Sequence, residues 1–408
     1  MDDTNELTRQ EGYTSMQIFD QAQPFPNDAL DVLTACCPDE KERFCFFDIE
    51  TTGLSPKISS LYLIGVLWYD AGDDLFHTRQ WFADDYISEK DIIKSFTRFL
   101  SSFTILVHYN GSGFDIPYIE KKCREHSLDS PFQHIKSFDV FREIRALKSL
   151  FHTPDLKLAT VETLVGFART DRLSGRDCIQ VYSNFMQKKY FRDNEAMESE
   201  REKLLLHNKE DLAGTYLSAG LLAYQCPAAL ERAETSGHTV RAVYRASAAA
   251  PFSLFREGQL CQEQPALSRN NGPSQKQPSL SQNGEPGSFF VRFEKNRILL
   301  QIPLWEGTLC HFFPNYKDYY YLPAEDTAIH KSVGAYVEPQ FREQAKASNC
   351  QVKKEGMFVP IPKDLSAGDL LLFRSGYKSK QQYVLWDEKT EQDAPFWESL
   401  LFCLIRQI

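Results

Sequence analysis

The chain lacks the patterns that identify several common classes of protein. Its ten cysteines include no CxxC pair, so no zinc site is expected from their spacing. Neither a GxxxxGKS or GxxxxGKT phosphate loop nor a GxSxG nucleophile motif occurs, which leaves P-loop and α/β-hydrolase chemistry without support. No apolar run approaches the roughly 18–20 residues that a membrane-spanning helix needs.

Basic charge and targeting signals are also scarce. Lys and Arg number 46 against 56 Asp and Glu, giving a net charge of -10. This balance argues against a protein that holds nucleic acid through a strongly basic overall surface, although a local basic groove is compatible with it. The start, MDDTNELTRQEG, lacks the basic and apolar regions of a signal peptide. We therefore expect a cytoplasmic protein with reduced thiols.

What is present is the composition of an ordinary globular protein, with 42% hydrophobic and 25% charged residues. A length of 408 residues predicts two or three domains. Composition changes divide the chain into an N-terminal extension, an α/β domain, a helical connector, a flexible linker rich in Pro, Gly, Ser, Asn and Gln, and a strand-rich C-terminal domain of unknown role. The predicted boundaries are 1–43, 44–225, 226–264, 265–288 and 289–408.

Hydrophobic patterns predict an α/β layer arrangement. Short apolar runs indicate buried strands at 44–48, 61–69, 76–82 and 104–109, and helical spacing indicates a helix over 88–102. Helical stretches dominate from about Pro117 to about Tyr224. In the C-terminal domain, 289–303 and 383–386 are strand-like, and a helix is predicted near 327–336.

Asp48 and Glu50 stand at the end of the first apolar strand, in FCFFDIETTG. Alternation along a strand puts both carboxylates on one face, where a divalent cation would relieve their repulsion. The turn that begins at Thr51 would let a ligand approach the backbone. Solvated acids at a strand end are the simpler alternative.

Asp115 follows another strand and the turn Asn110-Gly111-Ser112-Gly113, and leads into a helix through Pro117. In open α/β sheets this position, after the carboxyl end of a strand, is where ligands bind. An N-cap role for Asp115 is the alternative. Asn110 either braces the turn or contacts substrate.

His207 and Asp211 are four residues apart and share one face of a predicted helix. They form either a polar surface pair or a functional pair. In the functional interpretation Asp211 is a metal ligand and His207 is the base that deprotonates water, which suits the near-neutral pKa of imidazole.

In this order, Asp-x-Glu, Asn-Gly-x-x-Phe-Asp and His-x-x-x-Asp resemble the three motifs of the DEDD (DnaQ-like) exonuclease superfamily. The resemblance runs from about Phe44 to Tyr224, and the most similar group is the YprB-like ribonuclease-H-like domain. The segment LKLATVETLVGFARTDRLSGRD is similar to that family's helix and loop between the second and third motifs. The resemblance implies a ribonuclease-H-like mixed sheet flanked by helices, followed here by a small strand-rich α+β domain.

The resemblance also implies a function: metal-dependent 3′–5′ exonuclease activity on single-stranded nucleic acid, either RNA or DNA. Asp48, Glu50, Asp115 and Asp211 would bind two Mg²⁺ or Mn²⁺ ions, roughly 3.5–4 Å apart in such sites. His207 stands where the third motif carries Tyr or His. Its spacing to Asp211 is that of the tyrosine subclass, whereas its residue type is that of the histidine subclass.

Further residues are weaker candidates. Thr51, Asn110 and Lys157 are expected to contact substrate, with a solvated surface lysine as the alternative for Lys157. Asp139 either caps a helix or supports the acids from behind. The tyrosines of NYKDYYYLPAEDTAIHK either pack on a small core or stack on single strands.

Two other functions stay open at this point. The chain could be a non-catalytic nucleic-acid-binding or scaffold protein that keeps the fold. It could also be a phosphodiesterase of very short oligonucleotides, which the negative net charge favours because long polyanions gain affinity from basic contacts.

Overall fold

The computed structural model describes residues 16–38, 43–260 and 288–408. The chain divides into two units, the first made of Met1–Lys148 and His152–Leu222 and the second of Ser149–Phe151 and Ala223–Ile408. Most of the predicted linker, 265–287, lies outside the described residues, as does 1–15 of the predicted extension.

A six-stranded mixed sheet is the centre of the first unit. Its strands are β1 (Met16–Gln23), β2 (Phe44–Thr51), β3 (Leu61–Asp70), β4 (Leu75–Ala83), β5 (Ile105–His108) and β6 (Lys136–Asp139). They lie in the order β1-β4-β3-β2-β5-β6. The β2–β5 and β5–β6 pairs are parallel and the others are antiparallel. Strand β2 is therefore an inner strand, with a neighbour on each side.

Helices flank this sheet, as predicted. They are α1 (Asp28–Cys36), α2 (Glu89–Leu100), α3 (Asp115–His126), α4 (Val140–Arg145), α6 (Leu158–Leu164), α7 (Gly175–Tyr190) and α8 (Asn194–Ala219). Helix α5 (Lys148–Phe151) and a 3₁₀ turn at Gly220–Gln225 each include residues of both units. None of the helices in the described ranges combines the length and the apolar character that crossing a bilayer requires.

The alternation of β2 decides which side chains meet which helix. On one face, Phe47 stacks on Phe96 of α2, with ring centroids 5.3 Å apart. On the other face, Phe46 packs edge-on against Tyr216 of α8 at 5.3 Å. Burying one such aromatic side chain contributes about 1.5–3 kcal/mol. Asp48 and Glu50 share the face of Phe46, so the same helix α8 lies over both carboxylates.

The strands predicted at 44–48, 61–69, 76–82 and 104–109 are confirmed, and the helix predicted over 88–102 is observed as α2. Part of the segment predicted as an extension contributes elements of this unit. Strand β1 pairs antiparallel with β4 over its whole length and forms an edge of the sheet.

The second unit is strand-rich and confirms the predicted α+β class. Its strands are β7 (Ala228–Ser236), β8 (Thr239–Ala246), β9 (Leu254–Gln259), β10 (Ser288–Glu294), β11 (Arg297–Pro303), β12 (Trp305–Phe312), β13 (Tyr319–Leu322), β14 (Thr327–His330), β15 (Glu343–Gln344), β16 (Gln351–Ile361), β17 (Leu372–Phe373) and β18 (Gln382–Leu385). Its helices are α9 (Lys331–Gly334), α10 (Glu388–Gln392) and α11 (Ala394–Ile405), with 3₁₀ turns at Tyr316–Asp318 and Pro339–Phe341. The sheets have the orders β7-β8-β11-β10-β9, β12-β16-β18-β17 and β14-β13-β15.

The helical connector predicted over 226–264 is wrong, because β7, β8 and β9 occupy its described part. Alanine-rich stretches such as RAVYRASAAA favour helix in isolation. In the fold, Val240, Ala242 and Tyr244 are buried at every second position of β8, which pairs with β7 and β11. Tertiary pairing therefore overrides the local preference.

The helix predicted near 327–336 is also largely wrong. Thr327–His330 is strand β14, paired with β13, and only Lys331–Gly334 is helical. The neighbouring tyrosines pack as the simpler interpretation predicted. Tyr316, Tyr319 and Tyr321 lie against a small core of Ala328, Ala345 and Cys350.

Candidate metal centre

The end of strand β2 carries the first two acids. Asp48 is half-buried and Glu50 is buried, with 7% of its surface exposed. The β2–β3 register shifts between Glu50 and Thr51, so a β-bulge follows the second acid directly. The extra residue is Tyr62 on β3, and bulges are common beside active sites.

A row of residues across three strands holds Asp48 in place. Asp48 is paired with Gly65 of β3, which is paired in turn with Gln80 of β4. Asn208 of α8 lies over the glycine and donates through Nδ2 to Asp48 Oδ2 at 2.8 Å, while Gln80 Nε2 donates to Asn208 Oδ1 at 2.8 Å. A Cβ on Gly65 would come within 1.9 Å of Asn208 Oδ1, so only glycine leaves room for this amide.

Helix α8 brings His207 and Asp211 to the same place. His207 Nε2 lies 3.5 Å from Glu50 Oε1 and 3.6 Å from Asp211 Oδ2. Ligand oxygens of Asp48, Glu50 and Asp211 all lie within 4.8 Å of one another. Two carboxylates from β2 and one from α8 therefore lie close together.

Asp115 is the first residue of α3 and follows the tight turn after β5. Asn110 in this turn has φ 59°, and a Cβ on Gly111 would lie 2.9 Å from Asp115 Oδ2. The helix N-cap is Phe114, so the alternative of an N-cap role for Asp115 is wrong. Among the described residues, Asp115 stands outside the tightest acid group, but its charge acts on both Asp48 and Glu50.

The crowding of these acids appears in their pKa values. Burial, followed by the charges of Asp211 and Asp115, raises the pKa of Asp48 well above its usual range. Burial raises the pKa of Glu50 to about 8, against the opposing effect of His207. Burial and the charge of Asp211 raise the pKa of Asp115 to about 7. Clustered buried carboxylates are the donor set that hard divalent cations such as Mg²⁺ and Mn²⁺ prefer, so these residues fit such ions.

An acid that sequence reasoning missed orients the histidine. His207 Nδ1 donates to Asp171 Oδ2 at 2.6 Å, and His207 is only 4% exposed. Burial lowers the pKa of His207, but Asp211, Glu50 and Asp171 together outweigh it and raise that pKa above its usual value. Glu210 secures the loop that carries Asp171, because it accepts hydrogen bonds from the backbone N–H groups of Thr170 and Asp171 at 3.0 and 2.9 Å.

A partly buried arginine was also missed. Arg169 donates through Nε and Nη2 to Glu162 at 2.6 Å for each bond, and its Nη2 also pairs with Asp211 Oδ1. Glu162 is 2% exposed, and it fits because residue 214 is glycine, whose added Cβ would lie 1.8 Å from Glu162 Oε1. Arg169 thus links a buried acid on α6 to Asp211 on α8.

The remaining predicted residues differ in whether they lie near the acids. Thr51 Oγ1 donates to Gly53 O at 2.9 Å, within the turn beside the acids. The N–H of Asn110 donates to Asp139 Oδ1 at 3.0 Å, and Asp139 also caps α4. The Lys157 side chain is 80% exposed and pairs with Asp155 at 3.8 Å, with no described contact to the acids.

The comparisons with known proteins agree with the predicted fold. Residues 45–217 match a family model described as the RNase_H superfamily, so the predicted ribonuclease-H-like domain is confirmed. A ribonuclease-H-like domain together with a cluster of acids that could bind metal supports a nuclease. No curated protein matches the chain.

Similar solved structures include two of E. coli exonuclease I and one DNA polymerase. The exonuclease I complex with a dT13 oligonucleotide is 17% identical, with 32% of this chain and 37% of that chain covered and a TM-score of 0.25. The complex with a 5cy-dA13 oligonucleotide is 20% identical, with 30% and 36% covered and a TM-score of 0.24. The family B DNA polymerase of Pyrobaculum calidifontis is 13% identical, with 68% and 35% covered and a TM-score of 0.32. The chain therefore spans little more than a third of the length of each.

Proposed function

We propose that the RNase_H-superfamily domain is a metal-dependent 3′–5′ exonuclease of the DEDD type, acting on single-stranded RNA or DNA. The observation that carries this proposal is the convergence of Asp48, Glu50 and Asp211 within 4.8 Å, with His207 Nε2 3.5 and 3.6 Å from two of them. A solvated strand end or a surface helix pair gives no reason for acids of β2 and α8 to converge in one partly buried site.

Asp48, Glu50, Asp115 and Asp211 would hold two Mg²⁺ or Mn²⁺ ions. Such ions, when bound, supply the positive charge that favours hydroxide formation and neutralises the leaving oxygen. Neighbouring side chains orient the acids. Asn208 orients Asp48, and Arg169 fixes Asp211 from one side.

His207 is the proposed general base. Its Nδ1–H is committed to Asp171, so Nε2 is left as the nitrogen that faces the acids and can accept a proton from water. Asp171 therefore acts through His207, by selecting one tautomer and fixing the ring. His207 Nε2 would therefore accept the proton of water beside the point where the acids would hold the metal ions.

Substrate contacts are proposed for three residues. Thr51 is the last residue of β2, directly after Glu50, and Asn110 lies in the turn between β5 and Asp115. Lys157, with its exposed ammonium group, would contact a phosphate group farther along the bound nucleic acid. We predict that the protein acts in the cytoplasm, where buried thiols such as Cys45 and Cys178 stay reduced.

One set of end-labelled strands tests the polarity of hydrolysis, the preference for RNA or DNA and the preferred substrate length. Single-stranded RNA and DNA of 4, 12 and 30 nucleotides would be labelled at either the 5′ or the 3′ end and followed over time with Mn²⁺. A 3′–5′ exonuclease gives a descending ladder from the 5′ label and immediate mononucleotide from the 3′ label. The reverse pattern contradicts the polarity, and a rate that collapses on the longer strands favours a phosphodiesterase of short oligonucleotides.

A further inference from the structure

We propose that Glu50, Cys178 and His207 form a second metal site, one that takes a thiophilic divalent cation such as Zn²⁺. The three residues come from β2, α7 and α8, so their spacing in the sequence gives no sign of it. The site shares Glu50 and His207 with the proposed catalytic centre. A cation bound here would therefore compete with catalysis.

The donor atoms are already close to a zinc arrangement. One carboxylate oxygen, one sulfur and one imidazole nitrogen lie within 4.8 Å of one another. Zinc bonds of about 2.0–2.3 Å in a tetrahedron separate neighbouring ligand atoms by about 3.3–3.6 Å. Glu50 Oε1 and His207 Nε2, at 3.5 Å, meet that spacing without any movement.

The sulfur atom distinguishes this site from the oxygen-only group of acids. Cys178 is fully buried. Buried cysteines often serve only as small apolar side chains, and Cys45 is one such case. The Cys45 thiol donates to the carbonyl of Phe46 at 3.7 Å, whereas the Cys178 sulfur faces a carboxylate and an imidazole.

The hydrogen bond of His207 Nδ1 orients the imidazole ring so that Nε2 can bind a metal. Metal-bound histidines usually donate their second N–H to a carboxylate or carbonyl, which fixes the ring and raises the basicity of the ligating nitrogen. Asp171 provides that carboxylate at 2.6 Å from His207 Nδ1. A cation can enter from the side of Asp211, whose side chain is 19% exposed.

Mixed sulfur, nitrogen and oxygen ligands favour Zn²⁺ over Mg²⁺, which demands oxygen ligands. On binding, the Cys178 thiol loses its proton to solvent as the sulfur–zinc bond forms. The Nε2 lone pair of His207 is then occupied and cannot accept a proton from water. Zn²⁺ thus inhibits the enzyme even when Mg²⁺ is abundant, a consequence that rests on the proposed exonuclease function, although the binding itself does not.

Cobalt, a spectroscopic substitute for zinc, tests the site without any nuclease assay. The full-length, metal-free protein would be titrated with Co²⁺ and compared with Cys178→Ser and with the control Cys123→Ser, which alters another buried cysteine on α3. We expect a thiolate-to-cobalt band in the near ultraviolet for the wild type and the control, removed by Zn²⁺, and none for Cys178→Ser. An equal band in Cys178→Ser overturns the proposal.

X-ray absorption of the zinc-loaded wild type needs no variant, so a misfolded Cys178→Ser protein cannot obscure the answer. One sulfur at about 2.3 Å with nitrogen or oxygen at about 2.0–2.2 Å is expected, and a shell of oxygen and nitrogen alone refutes the site. For inhibition in Mn²⁺, the zinc concentration giving half of each variant's own rate should rise more than about tenfold in Cys178→Ser. An inactive wild type with an intact cobalt band would refute the exonuclease and leave the metal site standing.

Discussion

Asp171 accepts a 2.6 Å hydrogen bond from His207 Nδ1, and the opposite nitrogen of the ring lies 3.5 Å from Glu50. A loop residue 36 positions earlier in the chain thus sets the tautomer of the proposed base. The carboxylate also helps to raise the pKa of the imidazole.

Replacing Asp171 with Asn should lower kcat about 10–100-fold and change KM little, because the ring loses its orientation but no substrate contact. The pKa of His207 should fall, so the acid limb of the kcat–pH profile should move to lower pH. Steady-state rates from pH 5 to 9 measure both effects. A uniform loss of rate with an unshifted profile would assign Asp171 a merely structural role.

Replacing Asp48 with Asn should stabilise the metal-free protein. A carboxyl whose pKa is raised by folding binds more protons in the folded state than in the unfolded state, so stability falls as pH rises between the two pKa values. For Glu50 and Asp115 this window runs from their ordinary values to about 8 and about 7. Asp48→Asn removes one of the repelling charges while its side-chain oxygen can still accept from Asn208.

The expected gain is about 1–3 kcal/mol near pH 8 in chelator, shrinking towards pH 5. Thermal midpoints across this range measure the difference in stability between Asp48→Asn and wild type. Asp129→Asn, which alters an exposed acid, is the control. Added Mn²⁺ should reverse the ranking, because it stabilises wild type and not Asp48→Asn. A gap that is independent of pH would show that the acids do not repel one another in the fold.

Arg169→Ala should destabilise the protein by about 3–5 kcal/mol, because it leaves the buried Glu162 carboxylate without a partner. Arg169→Met combined with Glu162→Gln should recover much of this loss. Urea unfolding of Arg169→Ala, of Arg169→Met and Glu162→Gln singly, and of the double variant Arg169→Met, Glu162→Gln measures the coupling. Additive losses would mean that the two side chains do not support each other.

Gly65→Ala should displace Asn208 and cost about 1–3 kcal/mol, since the new methyl group would lie 1.9 Å from the amide oxygen. The rate should fall as well, because Asp48 loses its hydrogen-bond donor. Gly175→Ala is the matched control, because its added Cβ meets nothing within 4 Å. If the double variant Gly65→Ala, Asn208→Ala is no more stable than Gly65→Ala alone, the clash is not the cause.

The sequence predicts those parts of the site that depend on local periodicity. Alternation along β2 pairs Asp48 with Glu50, and helical spacing pairs His207 with Asp211. Asp171, Arg169 and Asn208 could not be found this way. Their partners lie across loops or on another layer, and a loop acid such as Asp171 has no periodicity to mark it. A weak signal existed for Gly65, since a glycine inside a buried strand often marks close approach by another group.

In the second unit, local propensity predicted helix where the fold has strands. Alanine-rich strands β7 and β8 suggest helix by propensity, and the outcome is decided by their pairing with each other and by the pairing of β8 with distant β11. Short strands such as β14 have too few residues to show a period before the chain turns. The unit's strand-rich class was nevertheless predictable from the apolar runs at 289–303 and 383–386.

The most direct test of the central claim is hydrolysis of a 5′-labelled single strand by wild type, Asp48→Asn and Asp211→Asn, each in Mn²⁺, Mg²⁺ and chelator. We predict a ladder that shortens from the 3′ end only for wild type with metal, and a loss of about 10³-fold or more in both variants. Hydrolysis that persists in chelator, or in Asp48→Asn, would contradict the account. An intact strand under every condition, with metal binding absent, would favour a non-catalytic binding protein.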